Sequence, residues 1–210
     1  MGFFKYVAKI PMKHPFAFGT ILTGAKTAGL DAMMQKMVEK REELDIRRTL
    51  TFGIFGLSFN GAWQYLLFVK VMPRFVPGAF TFAAKPIREK LKDKVGIRGV
   101  LLQCFVENGI NNPFLYFPLF YMTQEWIAGG RPLDGVDRYK QNWKNDLMAI
   151  WSLWGPAQFI NFAFSAPWFR IPFVALTSCI WTCYVSLTRG DLAGSKEKEK
   201  GKERGHLKEG

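Results

Sequence analysis

The chain has 210 residues, of which 29 are Lys or Arg and 17 are Asp or Glu, so its formal net charge is +12. This length allows one or two domains, and a hydrophobic content of 49% excludes an intrinsically disordered protein. The charges are clustered, because the ranges 49–69, 147–169 and 171–188 contain no Asp, Glu, Lys or Arg. About 20 apolar residues suffice for a helix to cross a bilayer. The pattern therefore predicts an all-α integral membrane protein.

The first 14 residues are predicted to form a basic amphipathic segment. Their lysines are four residues apart and share one face of a helix, beside apolar residues. Such a segment is typical of a helix that lies at a membrane interface, or of an import signal. We therefore predict that the chain has three parts. They are this amphipathic segment (1–14), a membrane helical domain (15–188) and a charged, flexible tail (189–210).

The first two predicted spans are 15–34 and 49–69. A basic segment follows them at 73–98, and we expect it to contain a short helix at the surface. Small residues of the first span form two rows with a spacing of four: Gly19, Thr23 and Thr27, and beside them Thr20, Gly24 and Ala28. In lipid, helices associate through close packing, which such rows permit. We therefore expect the first span to pack closely against another helix.

The third predicted span, about 100–122, is rich in polar residues. Gln103, Glu107 and Asn111 form one row with a spacing of four, and Asn108 and Asn112 form the neighbouring row. An ionisable group in the middle of a bilayer is costly unless it faces protein or water, so these rows should face inward. Prolines at 113 and 118 predict a kink or a local break in the helix.

Two more apolar runs, 147–169 and 171–188, follow a polar stretch with a Gly-Gly-Arg-Pro turn. Arg170 separates them, so they are either two crossings, or one interfacial or re-entrant piece followed by one crossing. With the first run kept at the surface, four crossings place both termini on the more basic side of the membrane. The prediction is a bundle of four transmembrane helices, drawn from five apolar stretches, with interfacial amphipathic helices.

Six polar residues are candidates for lining a polar path or for bonding between helices. They are Asp31, Gln35, Glu107, Asn108, Asn111 and Asn112. We expect no catalytic or metal site, because the three cysteines and two histidines lack the spacing of a nucleophile pair or a zinc site. No cofactor is expected, although bound lipids are compatible with the pattern. The basic residues fit anionic lipid headgroups better than nucleic acid.

Residues near the end of the predicted membrane domain form a signature. It consists of Trp151, Trp154, Pro156, Gln158, Asn161, Phe162, Pro167, Arg170, Trp181, Tyr184 and Ser186. These residues and their spacing resemble the Mpv-seventeen and peroxisomal membrane protein family, and the resemblance extends over about 15–188. Both prolines come one residue later than in the family pattern, and Glu107-Asn108 stands where the family has Asp-Gln. The resemblance is therefore to a divergent member.

The resemblance implies a small all-helical protein of organellar membranes with four spans and no established enzyme activity, some members being proposed as weakly selective pores. We expect a non-enzymatic protein, and two functions stay open. One is a weakly selective pore or a membrane-homeostasis protein, and the other is an accessory subunit of a larger respiratory or photosynthetic membrane complex. Expected partners are membrane lipids and either other membrane subunits or further copies of the chain. The mitochondrial inner membrane is favoured, with peroxisomal and plastid membranes as alternatives.

Physical roles can be assigned to several signature residues. Gln158 and Asn161 are three residues apart and share a helix face, from which they could bond the backbone freed by the preceding proline. Arg170 either caps carbonyls or meets lipid phosphate at an interface, or it pairs with Glu107 or Asp31 inside the bundle. The signature tryptophans are expected to be interface anchors.

Overall fold

The computed structural model describes residues 9–180, and the regular structure among them is helical. The helices are α1 (Ile10–Lys13), α2 (Pro15–Met37), α3 (Ile46–Phe75), α4 (Ala79–Ala84), α5 (Ile87–Lys92), α6 (94–127), α7 (Pro132–Phe164) and α8 (Arg170–Ile180). The predicted all-α class is thus confirmed. Residues 1–8, the signature residues Trp181, Tyr184 and Ser186, and the tail lie outside the described residues, and so do the predictions about them.

Local sequence sets several of the helix ends. The Asp45 side chain caps α3 by accepting a hydrogen bond from the Arg48 N–H at 2.9 Å. In the same way, Asp93 caps α6 by accepting from the Gly96 N–H at 2.8 Å. Gly129 has a φ of 85° in the predicted turn between α6 and α7, a conformation that favours glycine.

Helices α3 and α6 change their hydrogen-bonding pattern in the middle. The segments Gly56–Trp63 and Leu66–Val71 of α3 and Val106–Tyr116 of α6 are π-helical. Pro113 lies inside the last of these. The disturbance predicted from the prolines is therefore a change of helix type, and α6 continues on both sides of it. Such wide turns are rare in proteins and are frequent at functional sites.

The rows of small residues predicted in the first span form the contact between α2 and α3. A Cβ atom on Gly56 would lie 2.8 Å from the carbonyl oxygen of Thr23, and a Cβ atom on Gly61 would lie 2.6 Å from the Cα of Thr20. The prediction of close helix packing is confirmed. The sequence of α3 provides the matching small residues, so that the two backbones meet.

The long helices run antiparallel to their neighbours in chain order and define two ends of the bundle. We call the end with the loops 38–45 and 128–131 the Arg48 end, where the Arg47 guanidinium lies 5.5 Å from the centroid of the Trp126 ring. We call the end with residues 76–93 and 165–169 the Arg170 end. There, Lys90 Nζ lies 4.3 Å from the centroid of the Phe164 ring.

Helix α7 carries the apolar run that one interpretation of the sequence kept at the membrane surface. The structure instead extends this run along α6, where Trp151 Nε1 donates to the Asn108 carbonyl at 2.8 Å, and on to the Arg170 end. By length and apolar composition, one helix among residues 9–180 qualifies to cross a membrane, namely Ile46–Phe75, and Arg170–Ile180 is a shorter apolar helix. The predicted set of four spans is therefore not confirmed.

Beside an apolar core, the described residues bury unusually many polar side chains and expose unusually many large apolar ones. Several long polar side chains are at most 1% exposed: Gln35, Gln103, Glu107, Gln158, Asn161 and Arg170. Many large apolar side chains are more than half exposed, including Ile21, Leu50, Ile54, Leu101, Phe105, Phe114 and Leu176. Surfaces of this kind are unfavourable in water and are expected where hydrocarbon surrounds the protein.

Candidate functional site

Polar side chains, all of them buried except that of Trp63, which is 37% exposed, form a row between α3 and α6 that we call the polar stripe. Its members are Trp63, Gln64, Gln103, Glu107, Asn111 and, from α8, Arg170. The Glu107 carboxylate is at the centre and accepts hydrogen bonds from Gln64 Nε2 at 3.3 Å and from Asn111 Nδ2 at 3.0 Å. Trp63 Nε1 donates to Asn111 Oδ1 at 2.8 Å. The Glu107 side chain is therefore held by amides that belong to two helices.

Arg170, the first residue of α8, ends the polar stripe on the side of the Arg170 end. Its side chain is fully buried. One guanidinium nitrogen, Nη1, donates to the carbonyl oxygen of Phe68 at 2.7 Å and to Gln103 Oε1 at 3.2 Å. The guanidinium carbon lies 4.6 Å from the centroid of the Phe80 ring and 5.2 Å from that of Phe162. One buried cation thus joins α3, α6, α7 and α8.

These contacts distinguish between the roles predicted for Arg170. It bonds a backbone carbonyl, as one prediction states. Its complete burial excludes contact with lipid phosphate at an interface, which was the second alternative. Among residues 9–180 no carboxylate lies within 4.0 Å of Arg170, so the predicted ion pair with Glu107 or Asp31 is wrong in this structure.

Some buried polar atoms of the stripe have no hydrogen-bond partner among the described residues. They are Nε and Nη2 of Arg170 and Oε1 of Gln64, and beside the stripe Oδ1 of Asn161. A buried polar atom without a partner costs roughly 1–3 kcal/mol. Donors and acceptors both occur in this set, and internal water is the usual partner of such atoms in proteins.

Asn161 connects α7 to the start of α8. Its Nδ2 donates to Gln158 Oε1 at 3.1 Å and to the carbonyl oxygen of Arg170 at 3.2 Å. We predicted that this pair would bond the backbone freed by Pro156. A backbone bond is indeed formed, but its acceptor belongs to α8, so the pair positions the residue that carries the buried cation.

The second row of α6, Asn108 and Asn112, lies beside α7. Asn112 Nδ2 donates to Asn108 Oδ1 at 3.4 Å, and Asn108 Nδ2 donates to the carbonyl of Cys104 at 3.1 Å. The indole of Trp151 is 44% exposed although its N–H donates to α6, and Trp154 packs against the apolar core at the Arg170 end. The role of these tryptophans as interface anchors stays a prediction.

Asp31 and Gln35, the other two candidates, lie in a separate cluster at the Arg48 end. Asp31 Oδ1 accepts from Arg48 Nε at 2.8 Å, while Oδ2 accepts from Gln35 Nε2 and Thr49 Oγ1, both at 2.8 Å. Arg48 also donates to Glu39, and this hydrogen bond holds the pKa of the Glu39 carboxyl below its ordinary value. The cluster fastens the end of α2 to the start of α3.

Sequence reasoning did not identify several residues of these sites as candidates, among them Gln64 and Arg48. Gln64 is one of two amide side chains in the run 49–69, which contains no charged residue. An amide within an apolar span is a signal for hydrogen bonding between helices. Arg48 has no such signal, because its pairing with Asp31 depends on how α2 and α3 fold back on each other. Among residues 9–180, no group of three His, Cys, Asp or Glu side chains could hold a metal ion.

Comparisons with known proteins find sequence relatives over most of the chain. The sequence profile described as Mpv17 / PMP22 family matches residues 126–186. The chain is 26% identical over 158 residues to Protein SYM1 of Mycosarcoma maydis, covering 75% of this chain and 71% of that protein. It is 25% identical over 191 residues to the mitochondrial inner membrane protein Mpv17 of Danio rerio, covering 88% and 96% of the two chains. The Drosophila melanogaster protein of that name is 25% identical over 167 residues, or 75% and 85%. No solved structure matches the chain.

Proposed function

Because this chain is a divergent member of the Mpv17 / PMP22 family and a membrane protein, we propose that it conducts small polar solutes through an organellar membrane as a weakly selective pore. The names of its relatives support an organellar membrane, with the mitochondrial inner membrane favoured. The proposal includes no enzyme activity. The observation that supports it is the polar stripe, which places Glu107 and Arg170 inside a bundle whose outer surface is apolar.

Weak selectivity follows from the two charges of the stripe. Ionisable residues within a membrane domain are costly and usually belong to the path of a solute or ion. When ionised, Glu107 attracts cations, whereas Arg170 attracts anions, and four positions along α6 separate Gln103, which bonds Arg170, from Glu107. A path that passes both groups would favour neither sign strongly.

The stripe is closed by hydrogen bonds in this structure, so conduction requires that these bonds open. The bond between Gln64 and Glu107 is 3.3 Å long, and the neighbouring bond between Asn112 and Asn108 is 3.4 Å long. Both are at the weak end of the range for N–H···O bonds. Glu107, Asn108 and Asn112 lie in the π-helical segment of α6, and Gln64 lies between the two π-helical segments of α3. Wide turns of this kind are frequent at functional sites, which supports a rearrangement at this place.

We expect Glu107→Gln to shift the ion selectivity of the protein towards anions. The substitution keeps the size of the side chain and removes the negative charge that Glu107 carries when ionised, so that Arg170 becomes the dominant charge of the stripe. It also replaces one accepting oxygen with a donor, so one of the hydrogen bonds from Gln64 and Asn111 is lost. The measurement is the reversal potential of the purified full-length protein in planar bilayers with a salt gradient.

The matched control for this experiment is Glu89→Gln, which makes the same chemical change on the exposed surface of α5. We expect it to leave the reversal potential unchanged. An absence of conductance in the wild-type protein, or equal reversal potentials for Glu107→Gln and the wild type, would refute the pore proposal.

We also propose that the two ends of the bundle lie on opposite sides of the membrane. In a chain whose native cysteines are replaced by Ser, Glu42→Cys and Gly130→Cys should then react with a membrane-impermeant maleimide from one side. Arg88→Cys and Ala166→Cys should react from the other side. If Ala166→Cys reacts from the same side as Gly130→Cys, α7 does not traverse the membrane and its apolar half lies at the surface.

The second candidate function is an accessory structural subunit of a larger membrane complex. It is favoured by the fact that most polar atoms of the stripe already have partners within the chain, as expected for bonding that fixes helices. Native electrophoresis after extraction of the organelle with mild detergent distinguishes the two functions. A subunit would migrate with a large complex and show no conductance after purification.

A further inference from the structure

An apolar groove runs along the outside of the bundle between α3 and α6, on the face opposite the contact with α7. Its volume is about 480 Å³. Side chains of Ile54, Phe55 and Phe59 form one wall, and Leu115 and Leu119 form the other. It extends from Thr51 to Trp63 of α3, which corresponds to about 18 Å of helix. The groove is therefore long and narrow rather than round.

The hydroxyl groups that line the groove have no proton left to donate to an occupant. Thr51 donates to the Arg47 carbonyl at 2.8 Å, Ser58 to the Ile54 carbonyl at 2.8 Å, and Thr123 to the Leu119 carbonyl at 2.7 Å. Each hydroxyl proton is thus used within its own helix. The groove suits a hydrocarbon chain better than a polar solute.

A cation stands at the mouth of the groove, at the Arg48 end. Arg47 lies one helical turn before Thr51 on α3, and its guanidinium carbon lies 5.5 Å from the ring centroid of Trp126, which lines the groove. Arg47 is exposed, and among residues 9–180 no carboxylate is paired with it. Its neighbour Arg48, by contrast, is bound by Asp31 and Glu39. Arg47 is therefore available to an anion at the level of the headgroups.

We propose that this groove is a binding site for an anionic phospholipid, with one acyl chain between α3 and α6 and the phosphate on Arg47. The inference rests on the position of the chain in a bilayer and does not depend on conduction. The length of the groove, its apolar lining and the single unpaired cation at one end match the shape and charge of such a lipid. A second copy of the chain would not explain a cation at the mouth.

Native mass spectrometry of the full-length protein in mild detergent tests this proposal, with phosphatidylglycerol and phosphatidylcholine as probes. We expect Arg47→Gln to weaken phosphatidylglycerol binding about fivefold and to leave phosphatidylcholine binding unchanged, because one Arg near a membrane surface contributes about that factor. Leu119→Trp, which fills the groove, should weaken both lipids. The controls are Arg88→Gln on the surface of α5 and Leu101→Trp on the exposed face of α6 outside the groove, and neither should change binding.

A phosphatidylglycerol with a diazirine in its acyl chain gives the second measurement. The crosslinked peptides should contain groove residues of α3 and α6. The proposal is overturned if Arg47→Gln behaves like Arg88→Gln, or if crosslinks are spread evenly over the exposed apolar surface. It is also overturned if the spectra show a dimer that excludes the lipid. Neither lipid-binding experiment measures conductance, so a failure of this proposal and a failure of the pore proposal are separate results.

Discussion

Replacement of Arg170 by Ala is expected to lower the free energy of unfolding by about 3–5 kcal/mol. This is the largest effect that we expect from a single substitution in the chain. The substitution empties the space of a long, fully buried side chain and leaves Gln103 Oε1 without the donor that it has in the native protein. It also removes the cation from the rings of Phe80 and Phe162. Relief of the cost of burying a charge offsets part of this loss.

Thermal unfolding in detergent, followed by tryptophan fluorescence, measures this effect as a fall in Tm of about 10 °C. Arg88→Ala removes an exposed arginine and should leave Tm unchanged. Arg170→Met fills most of the volume without the hydrogen bonds, and we expect an intermediate Tm. If Arg170→Met restores the wild-type Tm, the residue fills space and its hydrogen bonds add no stability. Equal Tm values for Arg170→Ala and Arg88→Ala would show that the Arg170 side chain is not buried among these partners.

The features that follow from local spacing were predictable from the sequence. Rows with a spacing of four residues identified the faces of α2 and α6, because a helix places such residues on one side. The direction of the polar row of α6 also followed, since Glu107 cannot face hydrocarbon without a partner. The structure buries that side chain among amides, as this argument requires.

The partners of the buried charges could not be predicted in this way. Arg170 bonds the carbonyl of Phe68, which is 102 residues away in the chain, and Asp31 bonds Arg48 across the turn between two helices. A backbone carbonyl has no sequence signature. The choice between Glu107, Asp31 and a carbonyl as partner of Arg170 therefore depends on how the helices are arranged, and spacing contains no information about that.

The position of the apolar run 147–169 was ambiguous for a different reason. Its tryptophans and prolines are typical of an interfacial segment, and a count of basic residues supports an even number of crossings. In the structure, the same residues contact other helices, since Trp151 bonds α6 and Phe162 packs edge-on against Phe68 at 5.0 Å. Residue types that favour an interface also favour contacts between helices, so composition alone did not separate the two.

The contact between α2 and α3 leads to the second large expected effect, which is that Gly61→Ala destabilises the protein by about 2 kcal/mol. The new Cβ would lie 2.6 Å from the Cα of Thr20 and 2.6 Å from Oγ1 of Thr23. Because the first of these atoms belongs to the backbone, no change of rotamer relieves the contact. The two helices must separate, and they lose the van der Waals contacts that hold helices together in lipid. The measurement is the Tm of the purified protein.

Gly29→Ala is the matched control, since it makes the same change inside α2 at a position where no atom lies within 4 Å of the new Cβ. There, the higher helix propensity of Ala should raise the stability by up to about 1 kcal/mol. The two substitutions should thus have opposite signs, although both add one methyl group to a helical glycine. A decrease of equal size for both would mean that Ala is unfavourable for reasons unrelated to packing. An increase for both would mean that α2 and α3 are not in contact, because in that case nothing would distinguish the two faces.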